Sequence, residues 1–264
     1  MSCYYYEEVH SCNDPVFKNV DICVILVMEN SKRFKQNYFL NTLCSKTVIQ
    51  YNKGYKNCNK YHDINNTVRD INHAYWSVFN YCEKYENVLI LEEDAEPIYY
   101  DKHHYHTIDI YIKENYDKLI NLGVGCSLKK IDDNFLRCVS KFKFFAQANI
   151  YSKYIREILK RNIEKENFTG HFDEKYFENI DVITYKHPLI GQLFPITENQ
   201  KNWDRNFQII RLCVKFFDLD VNINNWEAIY LLSKIRYDFF YPVMVITFLF
   251  ILKILQNLTN IKIL

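Results

Sequence analysis

The chain has 264 residues, enough for one large domain or two small ones. Its 33 basic and 32 acidic residues leave a net charge of +1, which excludes the basic footprint of a nucleic-acid binder. Hydrophobic residues make up 48% and supply a sizeable core.

The nine cysteines (3, 12, 23, 44, 58, 82, 126, 138 and 213) form no CxxC pair, so a zinc site is not expected. Their odd number and lack of a framework predict reduced thiols facing the cytosol. No basic segment followed by an apolar one opens the chain, so no secretory signal is read there.

Residues 1–19 read as an N-terminal extension. Asp21-Ile-Cys-Val-Ile-Leu-Val-Met28 reads as a first buried strand. Residues 32–49 read as a helix and a short strand, and 53–63 as a polar loop. From Asn66 to Tyr85 the apolar positions Val68, Ile71, Tyr75, Val78, Phe79 and Cys82 share one helical face, with Asn66 or Thr67 as cap. The next segment, Val88-Leu-Ile-Leu-Glu-Glu-Asp-Ala-Glu-Pro97, carries the strongest signal. Its apolar run predicts a strand buried on both faces. Three carboxylates at the end of such a strand are costly unless something positive meets them. A hard divalent ion, Mn²⁺ or Mg²⁺, is the natural partner, because these ions take carboxylates together with substrate phosphates. The expectation is a metal-diphosphate site at the carboxyl edge of an α/β sheet, set against an acidic surface loop.

His103, His104 and His106 read as a solvated loop, because their spacing fits no established metal site. Leu119–Gly125 and Phe144–Tyr151 read as strands. Ser152 is expected to cap a helix running to about Ile163, and 167–173 to form a loop. Residues 201–236 read as a helical extension. Beyond them, Phe239–Leu252 carries no charge, and 237–255, with Lys253 reaching to the interface, falls within the roughly 17–25 residues of a spanning helix. Tyr237 and Tyr241 would sit in the aromatic belt. A C-terminal membrane anchor with a cytosolic catalytic domain follows as the expectation. The sequons Asn65-Asn-Thr67 and Asn167-Phe-Thr169 would then carry no glycan.

These pieces, in this order over residues 20–200, resemble glycosyltransferases of the GT-A fold. The likeness is to the lipopolysaccharide and procollagen galactosyltransferases of glycosyltransferase family 25. Asn72-His73 stands where that family has a Ser-His pair. Leu91-Glu92-Glu93-Asp94 resembles its Leu-Glu-Asp-Asp, with Glu in place of the middle Asp. Tyr116-Asp-Lys-Leu-Ile-Asn-Leu-Gly123, Ala148-Asn-Ile-Tyr-Ser152, Phe172-Asp173-Glu174 and Pro188-Leu-Ile-Gly-Gln192 match four further segments.

The resemblance implies a single Rossmann-like, mixed but mostly parallel sheet and an inverting, metal-dependent transfer from a nucleotide-sugar donor, UDP-sugar favoured. The acceptor would be a glycan, protein or lipid hydroxyl. Asp94 and Glu93 would hold the metal, with His187 as a possible third ligand. Glu92, Asn72, His73 and Arg33 would meet the donor. Asp173, with Glu174 second, would be the base for the acceptor hydroxyl. Two other functions compete. One is a non-catalytic GT-A-like membrane binding protein, left open by Glu93. The other is a sugar nucleotidyltransferase, disfavoured because Met28–Phe34 lacks a Gly-rich phosphate loop.

Overall fold

A computed structural model describes residues 2–32, 34–61, 63–123, 126–139, 147–192, 215, 218, 222–227, 230 and 231. The expected membrane helix at 237–255, most of the expected extension at 201–236, and Arg33 lie outside the described residues.

The core is a mixed sheet of nine strands, β1 (Tyr4–Ser11), β2 (Ile22–Met28), β3 (Lys46–Asn52), β4 (Asn87–Glu92), β6 (Leu119–Asn121), β7 (Leu128–Lys130), β8 (Phe135–Cys138), β9 (Ala148–Ser152) and β10 (Val182–Tyr185). Two shorter strands, β5 (Ala95–Pro97) and β11 (Ile190–Gln192), form a separate antiparallel pair. The sheet order is β1-β3-β2-β4-β9-β6-β10-β8-β7. Strands β3, β2, β4, β6, β10 and β7 run one way, and β1, β9 and β8 the other. Most strands therefore share one direction, giving the mixed, mostly parallel, Rossmann-like sheet that was expected.

Among the described residues the α-helices α1 (Tyr38–Asn41), α2 (Thr67–Tyr81), α3 (Lys102–Glu114), α4 (Lys153–Lys165) and α5 (Phe172–Tyr176) accompany the sheet. Both faces of β4 are covered, as its unbroken apolar run predicts. Leu89 and Leu91 join Tyr105, Ile108 and Ile112 of α3 on one face. Val88 and Ile90 join Tyr75, Val78 and Phe79 of α2 and Ile155, Leu159 and Ile163 of α4 on the other. Asn66 caps α2 through its side chain, and Ser152 caps α4.

The start of β4 is fixed by hydrogen bonds. The Asp21 carboxylate accepts from the backbone N–H of Glu86 and of Asn87, at 2.7 and 3.0 Å. Arg156, buried in α4, donates to the carbonyls of Cys82, Tyr85, Glu86 and Tyr151. Four carbonyls offset the cost of burying one guanidinium and tie α4 to the turn between α2 and β4.

Several sequence expectations are corrected. The histidine segment is helical, and Asp101 caps it while Tyr105, Ile108 and Ile112 face the core. Helical structure within 32–49 is confined to Tyr38–Asn41. The supposed N-terminal extension contributes the edge strand β1, paired with β3. Residues 172 and 173 already lie in α5 rather than in a loop. The cysteines are not all reduced: Cys3 is joined to Cys58 and Cys126 to Cys138. The Cys3–Cys58 bridge spans 55 positions, enough to restrict the unfolded chain by about 4 kcal/mol in the chain-entropy picture. Cys12, Cys23, Cys44 and Cys82 are free thiols, the last three buried.

Candidate functional site

From β2 the chain crosses to β3 on one side, then returns past β2 to β4 on the other. The carboxyl ends of β2 and β4 therefore form a topological switch point, where open α/β sheets bind ligands. Glu92 is the last residue of β4, and Glu93 and Asp94 make the turn into β5.

That turn is held on three sides. The Glu92 N–H donates to the Gln147 carbonyl at 2.9 Å, extending the ladder with β9 by one bond. The Met28 N–H at the end of β2 donates to Glu93 Oε2 at 3.2 Å. Gln192 Nε2, from β11, donates to Asp94 Oδ2 at 2.9 Å. The Pro188–Gln192 segment thus reaches the acidic motif directly.

The second half of the site comes from α2 and α5. Tyr75 is buried and donates its hydroxyl proton to Glu92 Oε1 at 3.0 Å. Its ring stacks on Phe172, centroids 3.8 Å apart. Asp173 follows Phe172, in the first turn of α5. Burial, then the charges of Asp94, Asp173 and Glu93, push the Glu92 carboxyl up to about 8, against the pull of the Tyr75 hydrogen bond. Burial first, then the charges of Glu92 and Asp173, also raise the Tyr75 hydroxyl well above its ordinary value. Glu92, Glu93, Asp94 and Asp173 thus share one negative field. Glu174 is the neighbour of Asp173, and its N–H donates to Asp173 Oδ1 at 3.0 Å.

Three predicted site residues are placed elsewhere. Asn72 is fully buried and donates to the carbonyls of Phe168 and Gly170, at 2.7 and 2.8 Å. It secures the loop that leads into α5 and Asp173. His73 is 6% exposed; its Nδ1 meets the Tyr4 hydroxyl at 2.8 Å, and its ring packs on Tyr4, Trp76 and Phe168. The Asn72 amide nitrogen and His73 Nδ1 are thus engaged inside the fold, while the buried Asn72 Oδ1 has no hydrogen-bond partner among the described residues. His187 lies among Tyr99, His104 and Tyr185, with ring centroids 5.3–6.0 Å away. Among the described residues no three His, Cys, Asp or Glu side chains converge as a metal-ligand set. The expected trio of Asp94, Glu93 and His187 is therefore not assembled.

Tyr75 was legible only as one of the apolar positions of α2. Its hydroxyl could have been suspected, because a buried tyrosine must place its O–H on an acceptor. Gln192 was legible as the end of the Pro188–Gln192 segment, without its carboxylate partner.

No protein-family model matches the chain, and no curated protein does. Among solved structures, the apo crystal structure of a UDP-glucose pyrophosphorylase is similar over 62% of this chain and 72% of that one, at 12% identity and a TM-score of 0.34. A likeness this distant does not bear on activity.

Proposed function

We propose that the chain is a metal-dependent, inverting glycosyltransferase that moves a sugar from a nucleotide-diphosphate donor, UDP-sugar favoured, to the hydroxyl of a glycan, protein or lipid. The observation that carries this reading is the acidic turn at the carboxyl end of interior strand β4, with Asp173 brought into the same field.

The donor set fits a hard cation. Glu93 and Asp94 offer carboxylate oxygens at the switch point, and Mg²⁺ or Mn²⁺ is commonly held by one or two carboxylates plus substrate phosphates. The concentration of negative charge that raises Glu92 is what such an ion relieves. Bound there, the ion would neutralise the charge that grows on the departing diphosphate. Gln192 holds the Asp94 carboxylate in place. Glu92, fixed by Tyr75, orients the donor sugar or ribose through hydrogen bonds. Asp173 accepts the proton of the acceptor hydroxyl as its oxygen attacks the anomeric carbon and the bond from that carbon to the diphosphate oxygen breaks. Glu174 is the second choice for that base. Attachment to a membrane through 237–255 belongs to the same proposal.

The test is a hydrolysis screen of several UDP-sugars with Mn²⁺, with and without chelator. Chelator-sensitive release of UDP from at least one donor supports the reading. No release from any donor opposes it.

A further inference from the structure

We propose that this domain is folded in an oxidising compartment and carries asparagine-linked glycans at Asn65 and Asn167, the reverse of the unglycosylated cytosolic domain expected from sequence. Two observations bear on this separately, and neither depends on the transfer reaction.

The first is the cystine chemistry. Cys3 and Cys58 come from segments far apart in the chain, and Cys126 and Cys138 from the two sides of the β7–β8 hairpin. The fold brings each pair to a Cα separation of 5.6–5.7 Å, within the span a disulfide bridges. Each bridge forms when two thiols give up two protons and two electrons to a disulfide-bearing oxidoreductase, which is reduced to its dithiol. Such bridges persist in secretory and extracellular compartments and are rare in a glutathione-reduced cytosol.

The second is the placement of two of the sequons. Asn65 is exposed in the turn before α2, and Asn66, the middle residue of its sequon, is exposed as well. Thr67 is the first residue of α2 and is half-buried. Asn167 is exposed just after α4 with φ 49°, in a turn closed by the Thr169 hydroxyl donating to the Glu166 carbonyl at 2.7 Å. Neither asparagine side chain is spent inside the core, so a bulky, hydrated glycan at either leaves the packing intact. Attachment joins the asparagine amide nitrogen to the anomeric carbon of a lipid-diphosphate-linked oligosaccharide. The bond from that carbon to the phosphate oxygen breaks, the lipid diphosphate leaves with the electron pair, and the amide proton passes to a base.

The experiment expresses the full chain in cultured eukaryotic cells and compares its mass before and after an amide-cleaving glycosidase. The wild type is expected to lose mass in the digest. With Asn257→Gln placed in every chain to remove the third sequon, Asn257-Leu-Thr259, Asn65→Gln and Asn167→Gln should each remove part of that loss, and the double variant all of it. Thr67→Ala, which keeps the asparagine, should match Asn65→Gln and so separates loss of the sequon from misfolding. Maleimide should leave Cys3 and Cys58 unlabelled until a reductant is added. A wild type with no glycosidase-sensitive mass overturns the proposal, as does a mass loss that persists in the double variant. Labelling of Cys3 and Cys58 without reductant overturns its first premise.

Discussion

Replacing Glu92 by Gln should leave the fold unchanged in acid and stabilise it in base. Glu92 sits at the end of β4 beside Asp94 and Glu93, within the field of Asp173. Burial and these charges raise its carboxyl from an ordinary 4.5 to about 8. A raised folded-state value means that the fold binds this proton more tightly than the unfolded chain does. The contribution is complete below the unfolded value of 4.5 and is lost as pH climbs through about 8. At about 1.4 kcal/mol per pH unit, the full difference sets a ceiling of about 5 kcal/mol. Glu92 keeps some contact with solvent, and screening there reduces the expected effect to about 2 kcal/mol. Urea denaturation of wild type and Glu92→Gln, without divalent ions, measures it. The two should coincide at pH 5, where Gln imitates the protonated acid. At pH 9 the variant should be the more stable by about 2 kcal/mol. A difference that stays constant from pH 5 to pH 9 would refute the reasoning.

Three further outcomes are expected. Tyr75→Phe keeps the stack on Phe172 but deletes the bond to Glu92; at pH 9 it should lower stability by about 1.5–3 kcal/mol in the same urea assay, and by less at pH 5. Lys60→Met leaves the Asp70 carboxylate buried without the ammonium that now meets it, at a cost of about 3–5 kcal/mol in thermal melts, while Lys60→Met with Asp70→Asn should recover part of the loss. Asp173→Ala should slow sugar transfer by at least about 10²-fold with little change in donor affinity; equal losses in both would move Asp173 to the donor side.

The parts of the fold legible in the sequence are those whose pattern is local. The runs Ile22–Met28 and Val88–Leu91 are apolar at every position except Cys23, so they read as interior strands with no knowledge of their neighbours. Asn66 and Ser152 announced α2 and α4 because a cap and its helix are adjacent in the chain. Strand β1 was missed because Tyr4–Ser11 mixes tyrosines with Glu7, Glu8 and His10, and becomes a strand only by pairing with β3 some forty residues on. Helix α3 is signalled only by Asp101 and the spacing of Tyr105, Ile108 and Ile112, a narrow apolar face that the polar His103, His104 and His106 make look like a solvated loop. The cystines were illegible for a related reason, since spacing does not say which of nine cysteines a fold brings together. In the candidate site, the acidic turn was visible because charge after a buried strand is anomalous. The contributions of Tyr75 and Gln192 were not, because each depends on a hydrogen bond between segments distant in sequence.

The central claim is that Asp94, in the turn beyond β4, holds a divalent ion that binds a nucleotide diphosphate. Calorimetric titration of UDP into the protein, with Mn²⁺ and again with excess chelator, tests it directly when wild type is compared with Asp94→Asn. The account predicts that wild type binds UDP only with Mn²⁺. Asp94→Asn should lose that binding while its melting temperature is unchanged or raised, since removing one of several like charges relieves repulsion. Failure of wild type to bind UDP, or equal Mn²⁺-dependent binding by Asp94→Asn, would contradict it.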